Sequence, residues 1–318
     1  MHFPIAGEFK ISRGSKTSAD VIVCTISEKG FQGRGECVPY RRYGETLESV
    51  QAEIEALAAA VAQGMTRDEL GGKLHAGAAR NAIDCALWDL EAKMSGIAVA
   101  ERLGLADPKP LTTAYTISLD APEKMAAQAA RYAHRALLKV KTGTEDDESR
   151  IRAVRAAAPN AMLVLDANEG WTEANIARHL AVSAECGVAL VEQPLPADQD
   201  DILARIHRPL LICADESAHV TADLAALVGR YDAVNIKLDK TGGLTEALSM
   251  KREAERLGFK IMAGCMVGSS LAMAPAVLLA QDAAFVDLDG PLLLAEDCTP
   301  SLKYEASLVY PPERALWG

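Results

Sequence analysis

No run of about 18 apolar residues occurs in this 318-residue chain, so nothing in it reads as a membrane-spanning helix. Its opening, MHFPIAGEFK, lacks the charged and apolar regions of a secretory leader, and the expected location is therefore the cytoplasm. Basic charge is in deficit as well. The 33 Lys and Arg face 44 Asp and Glu, a net charge of -11 with no basic stripe, which argues against nucleic acid and membrane partners. Seven cysteines, an odd number without CxxC or Cys/His spacing, fit reduced thiols better than a disulfide framework or a zinc site. The six histidines form no HxH or HExxH arrangement, and Gly30, Gly33 and Gly35 form no GxGxxG. Those glycines read as a hairpin turn, and Gly242 with Gly243 as a turn between strand and helix. What these absences leave is a small-molecule partner, with assembly into a homo-oligomer open.

The hydrophobic content of 49% is enough for one large α/β domain or two domains. Residues 1–108 read as a small α+β domain, with the alternating stretch VIVCTI at 21–26 and helical patterns from about 46 to 95. In AARNAIDCALWDLEAKMSG the apolar Ala82, Ile83, Ala86, Leu87, Leu90 and Met94 recur at helical spacing, Gly96 stands at the stop, and Trp88 reads as core. Residues 109–297 follow a different rule. Eight short apolar runs, TTAYTISL, ALLKVK, AMLVLDAN, GVALVEQ, PLLICADE, DAVNIKLD, FKIMAGC and AFVDLD, recur at roughly 20 to 30 residues, the period of strand-helix units closing into a barrel. Residues 298–318 hold Pro300, Pro311 and Pro312 and read as an extended segment returning to the first domain.

In such a barrel the chemistry gathers at the C-terminal ends of the strands. Those ends carry Lys139 and Lys141, Asp166, Glu192, Asp215, Lys237 with Asp239, Cys265, and Asp287 with Asp289. A single aspartate there is usually a turn former or helix cap. Three carboxylates on successive strands, flanked by lysines on either side, are harder to explain as caps. Asp166, Glu192 and Asp215 offer hard oxygen ligands suited to Mg²⁺ or Mn²⁺. Lys139 and Lys141 alternate onto one face beside them, where a dication pulls a lysine toward its neutral, basic form. Lys237 lies across the mouth from Lys141, so a substrate carbon between them would meet an amine on each side, one removing a proton and the other returning one. That geometry calls for inversion at a carbon acidified by a metal-bound carboxylate. Cys265 reads as a small buried apolar residue.

The set LLKVK, VLDAN, VEQP, ADES, NIKLDKTGG and AIDCALWDL resembles the enolase superfamily over essentially the whole chain, whose sites use a Lys or His base with Mg²⁺. ISRGSKTSAD, GECVPYRRYGE and DLDGP resemble more narrowly its dipeptide epimerases, those acting on L-Ala-D/L-Glu. The resemblance implies a capping α+β domain over a (β/α)7β modified TIM barrel, Asp166, Glu192 and Asp215 as metal ligands, Lys141 and Lys237 as the acid/base pair, and Lys139 as the companion offsetting enolate charge. It further implies that Asp287 and Asp289 bind the dipeptide's α-ammonium, that Asp239 is a carboxylate behind the ligand set, and that the setting is recycling of cell-wall peptide. From the residues themselves, an acidic substrate side chain wants a cation from the cap loops. Arg13 is the choice, with Lys16 also available and Arg41, Arg42 and Tyr43 as neighbours. Other lysine-based members stay open, namely an o-succinylbenzoate synthase, a muconate-type cycloisomerase or an N-acylamino acid racemase, and so does a non-catalytic, metal-stabilised binding scaffold.

Overall fold

Two antiparallel hairpins open the chain, β1 (His2–Ile11) with β2 (Gly14–Asp20) and β3 (Ile22–Glu28) with β4 (Phe31–Cys37). The computed structural model describes every residue, Met1–Gly318. The second hairpin turns at Lys29 and Gly30, both with positive φ. Gly33 and Gly35 are not part of that turn. They lie inside β4 against the long helix α2 (Ala78–Ser95), where a Cβ would come within 2.1 Å of Ala86 O and 2.2 Å of Ala82 O respectively. A glycine every second position lets strand and helix backbones touch, which the sequence alone did not separate from turn chemistry. Helix α1 (Leu47–Ala56) starts where the Thr46 hydroxyl accepts the Ser49 N–H, and α2 stops at Gly96 in the left-handed region. Ala82, Ile83, Ala86, Leu87, Leu90 and Trp88 are all buried along α2.

Eight parallel strands follow in sequential order: β5 (Tyr115–Ile117), β6 (Leu137–Lys141), β7 (Met162–Asp166), β8 (Val188–Glu192), β9 (Leu211–Ala214), β10 (Ala233–Ile236), β11 (Lys260–Gly264) and β12 (Phe285–Asp287). Ala114 N–H donates to Val286 O at 2.9 Å, bringing the first strand against the last. The longer helices between them are α3 (Pro122–Arg131), α4 (Asp147–Ala157), α5 (Ile176–Glu185), α6 (Leu244–Arg256) and α7 (Ser270–Leu279). This is the (β/α)7β barrel, since the one helix after β12 is the short Gly290–Leu293, and the tail then pairs Tyr304–Glu305 with Leu308–Val309, which also pairs with Leu111–Thr112.

The barrel interior explains where the chemistry sits. Ala114, Leu137, Val164, Leu190, Cys213, Ala233, Met262 and Phe285 form one buried apolar layer, with one residue from each strand or its lead-in. Because side chains alternate with period two, the next inward position on each strand is Thr116, Lys139, Asp166, Glu192, Asp215, Asn235, Gly264 and Asp287. An apolar plug thus carries a polar layer directly above it. Pairing fixes the register, with Lys141 beside Asp166, Asp166 beside Glu192, and Gly264 beside Asp287. Outward residues such as Leu138, Val140, Leu165, Val191 and Ile236 pack beneath the helices.

Buried carboxylates join the N-terminal unit to the barrel. Glu36 accepts the Ser269 N–H at 2.8 Å and the Ser269 hydroxyl, at the start of α7. Asp84 accepts the Thr245 N–H at 3.0 Å and its hydroxyl at 2.6 Å, in the first turn of α6. Each satisfies amide donors that a helix start leaves unpaired. The tail returns to the same unit: Trp317 Nε1 donates to Cys85 O at 3.0 Å and Gly318 N–H to Asp89 Oδ1 at 2.7 Å.

Candidate active site

A cavity of about 850 Å³ lies between the barrel mouth and the two cap loops around Arg13 and Tyr43, lined among others by Lys139, Lys141, Lys237, Asp215, Asp287 and Asp289. Lys139, from the polar layer of β6, places its Nζ 2.6 Å from Asp287 Oδ2, 2.7 Å from Glu192 Oε2 and 3.1 Å from Asp166 Oδ2. Lys141, one step higher on the same face, contacts Asp166 Oδ2 at 2.7 Å, and the Phe9 ring of β1 covers it at 5.5 Å. Lys237, just past β10, contacts Asp215 Oδ2 at 2.6 Å. As the side chains lie, ammonium groups stand between the carboxylates, and Lys139 Nζ is shared by three of them.

The charges tune one another. Burial pushes the Asp166 carboxyl up, but Lys141 and Lys139 outweigh it and hold the group below its ordinary range. Asp215 is also held well below it, with burial overcome by Lys237 and Lys240. Glu192 goes the other way, pushed up to about 7 by burial and the nearby Asp166. Lys139 and Lys237 are both buried among these acids. Burial pulls both down, yet Asp287 and Glu192 on Lys139, and Asp215 and Glu192 on Lys237, raise them well above the usual value. The lowered value expected for Lys139 and Lys141 belongs to the state in which a dication shares those carboxylates.

Asp287 and Asp289 face the same cavity. Asp287 Oδ2 is taken by Lys139 while its buried Oδ1 has no partner. Asp289 Oδ2 accepts the Thr116 N–H at 2.7 Å, and burial with Asp287 pushes it up to about 7. Cys265 packs against the large apolar core and also lines the cavity.

Two further expectations change. Asp239 is not behind the carboxylate set. Strand β10 ends at Ile236 and a helical turn covers Leu238–Thr241, so alternation no longer aims residue 239 inward. Its Oδ1 instead accepts Val38 N–H at 3.0 Å and Asn81 Nδ2 at 2.8 Å from the N-terminal unit. Arg13 reaches the mouth, but its guanidinium is engaged there: Nη1 donates to Asn168 O at 2.7 Å and Glu169 at 3.0 Å, Nη2 to Glu216 at 2.8 Å and Tyr40 Oη at 3.2 Å. Arg42 grips Glu169 from the second loop with two bonds of 2.8 Å. Lys16, whose ammonium lies 5.3 Å from the Tyr40 ring centre, lines the cavity without an ion pair.

Sequence reasoning passed over Asn235, Lys240, Thr116 and Glu216. Asn235 Nδ2 donates to Glu192 Oε1 at 2.6 Å, in room left by Gly264, whose Cβ would fall 2.4 Å from Asn235 Oδ1. Lys240 donates to Asp215 Oδ1 at 2.6 Å, and Glu216, pushed up to about 7 by burial and Asp215, is the carboxylate that meets Arg13. The period-two rule applied from the apolar layer upward would have found Thr116 and Asn235.

Hard oxygens fit a small dication here: three wholly buried carboxylates on adjacent strands already hold cationic nitrogen at 2.6 to 3.1 Å. A closed parallel barrel with acidic and lysine strand ends beneath an α+β cap defines a class. The chain belongs to the enolase superfamily, with residues 2–104 matching the mandelate racemase / muconate lactonizing enzyme N-terminal domain and residues 124–314 the enolase C-terminal domain-like family. Within it the chain is 46% identical over 304 residues to the L-Ala-D/L-Glu epimerase of Escherichia coli, covering 95% of each. It is 45% identical over 300 residues to an N-acetyl-D-glutamate racemase of a Pseudoalteromonas species, covering 94% of this chain and 95% of that one. A crystal structure from Agrobacterium tumefaciens, an enolase family member with homology to dipeptide epimerases holding sodium and L-Ala-L-Glu, is 64% identical, with a TM-score of 0.99 over 100% of this chain and 98% of that one. Other solved dipeptide epimerases, 28 to 30% identical, are complexes with Mg and a dipeptide.

Proposed function

We propose that the protein is a metal-dependent dipeptide epimerase that interconverts L-Ala-L-Glu and L-Ala-D-Glu at the glutamate α-carbon. One observation carries the reading: Lys141 and Lys237 line the same cavity, each tied to a different acidic strand end, Asp166 and Asp215, with Glu192 on the strand between. Neither lysine is needed twice for binding. A pair serves proton removal on one face of a carbon and proton return on the other. Asp166, Glu192 and Asp215 would hold Mg²⁺ or Mn²⁺, which when bound polarises the substrate carboxylate and acidifies the neighbouring C–H. Lys139 adds fixed positive charge at that end of the cavity. The unpartnered Asp287 Oδ1, with Asp289 beside it, suits a free α-ammonium, and β1 closes the top of the site through Phe9. Arg13 serves an acidic side chain only by sharing its guanidinium with Glu216 and Glu169, so Lys16 is the readier cation.

The Pseudoalteromonas relative favours a second reading, racemisation of an N-acylglutamate, which uses the same proton transfer without a free amine. The Asp287 and Asp289 pair speaks for the dipeptide, because an acyl group offers those carboxylates no cation. A cytoplasmic role in recycling cell-wall peptide is the setting we assign. The test incubates the protein with Mg²⁺ in D₂O, once with L-Ala-L-Glu and once with N-acetyl-L-glutamate. Deuterium at the glutamate α-carbon of the dipeptide, with the D epimer formed, is the expected result. Faster exchange on the N-acetyl compound would install the second reading, and exchange on neither would leave a binding scaffold.

A further inference from the structure

We infer that Lys240 and Asn235, together with the Asn168 backbone, decide which cation the three carboxylates accept, by holding one oxygen of each so that only its partner oxygen is free to bind. This rests on the metal-dependent reading above. Asp166 Oδ1 accepts the Asn168 N–H at 2.9 Å, Glu192 Oε1 accepts Asn235 Nδ2 at 2.6 Å, and Asp215 Oδ1 accepts Lys240 Nζ at 2.6 Å. The remaining oxygens, Asp166 Oδ2, Glu192 Oε2 and Asp215 Oδ2, meet only Lys139, Lys141 and Lys237, side chains that line the cavity. Each carboxylate therefore has a fixed side and an exchangeable side.

The fixed donors are built in. Lys240 is 1% exposed, and its ammonium also donates to Asp215 O at 2.5 Å and Asn235 O at 2.9 Å, so its three N–H groups are all used. It stands on the helical turn Leu238–Thr241, which Gly242 closes in the left-handed region. Asn235 lies wholly buried in β10, with Gly264 of the neighbouring strand leaving its space. Neither residue reaches the cavity, so a substrate cannot displace them. They are positioning residues, acting through the carboxylates they hold.

A carboxylate with one oxygen so occupied offers a cation a single oxygen. Mg²⁺ binds single oxygens at short range and keeps its waters, whereas Ca²⁺ collects about six to eight oxygens and readily takes both from one carboxylate. The arrangement thus selects the smaller ion. Lys240 adds a charge that keeps Asp215 turned the same way whether or not an ion is bound.

The test titrates the substrate-free protein calorimetrically with MgCl₂ and separately with CaCl₂, for the wild type, Lys240→Met and Asn235→Leu, with thermal melts as the folding check. The wild type is expected to bind Mg²⁺ more tightly than Ca²⁺. Each variant should shift the Mg²⁺ to Ca²⁺ affinity ratio toward Ca²⁺ by about tenfold or more. A wild type that binds Ca²⁺ as tightly as Mg²⁺ overturns the inference, as does a folded variant that keeps the wild-type ratio. Should Lys240→Met not fold, the wild-type ratio and Asn235→Leu still decide it. Deuterium exchange by the wild type separates the two claims: exchange with an unselective metal site sinks this inference alone, and no exchange with no Mg²⁺ binding sinks the reading beneath it.

Discussion

The barrel mouth and the seam beneath the cap both bury carboxylates, and they differ in what they are buried against. At the mouth, Asp166 and Asp215 face lysine ammonium groups that line a cavity, and both are held below the ordinary carboxylate range. At the seam, Glu36 and Asp239 face backbone N–H, hydroxyl and amide donors, and burial pushes each up to about 7. Among these four groups burial therefore ends in opposite shifts, while Glu192 at the mouth, with Asp166 beside it, is raised as the seam pair is. A charged partner can trade places with a metal or substrate, while a backbone N–H within a helix start cannot. The mouth is organised for exchange of partners and the seam for permanence.

Removing one partner from each region tests that contrast. The largest effect is expected for Lys141→Ala and Lys237→Ala, each lowering epimerisation kcat on the order of 10³-fold while the thermal midpoint moves little, read by chiral chromatography alongside a melt. Near-normal turnover in both directions by either variant would end the two-base scheme. Asp287→Asn should next raise KM for L-Ala-L-Glu by roughly 10- to 100-fold, the worth of a hydrogen bond to a charged group, and leave Mg²⁺ affinity nearly unchanged. Equal loss of both would move Asp287 into the ion's own shell.

How much of this was legible follows from where periodicity holds. All eight barrel strands lie within the apolar runs because a buried strand must be apolar on its outer face, and Lys139 and Lys141 had to share a face once LLKVK was a strand. The same rule failed two residues past the strand, since Leu238 begins a helical turn and swings Asp239 to the seam and Lys240 to Asp215. Gly33 and Gly35 were misread because close packing on a helix and a turn both ask for glycine, and only the position of α2 separates them. The clamp on Arg13 was out of reach for another reason. Its partners Glu169 and Glu216 come from different strand ends more than a hundred residues away, and nothing local in ISRGSK points to them.

A smaller effect is expected at the seam. Asp239→Ala leaves Val38 N–H without an acceptor in a buried place and the Asn81 amide with only Glu36 O, a loss of about 1 to 3 kcal/mol in denaturant unfolding with kcat preserved in the folded fraction. Asp239→Asn keeps the Oδ1 acceptor for both donors and removes the ionisation, which isolates the smallest effect, the dependence on pH. Glu36 and Asp239 have folded values near 7, above those of an unfolded carboxylate, so folding binds protons there. Their contribution is complete below the unfolded value, about 4, and is lost as pH rises through about 7. Burial is the chief cause for both, and Glu45, facing Asp239 from the cap, adds to it. Glu192, Glu216 and Asp289 at the mouth are raised in the same direction, so the thermal midpoint of the substrate-free wild type should fall between pH 5 and pH 8. Asp166 and Asp215 act oppositely, their share being lost only as pH drops below the carboxylate range. If the seam holds its part of the decline, Asp239→Asn flattens the midpoint against pH at that alkaline end, whereas saturating Mg²⁺ with dipeptide, which acts on the mouth, removes a different part. A midpoint curve unchanged by Asp239→Asn would place the whole dependence at the mouth and erase the distinction between the two regions.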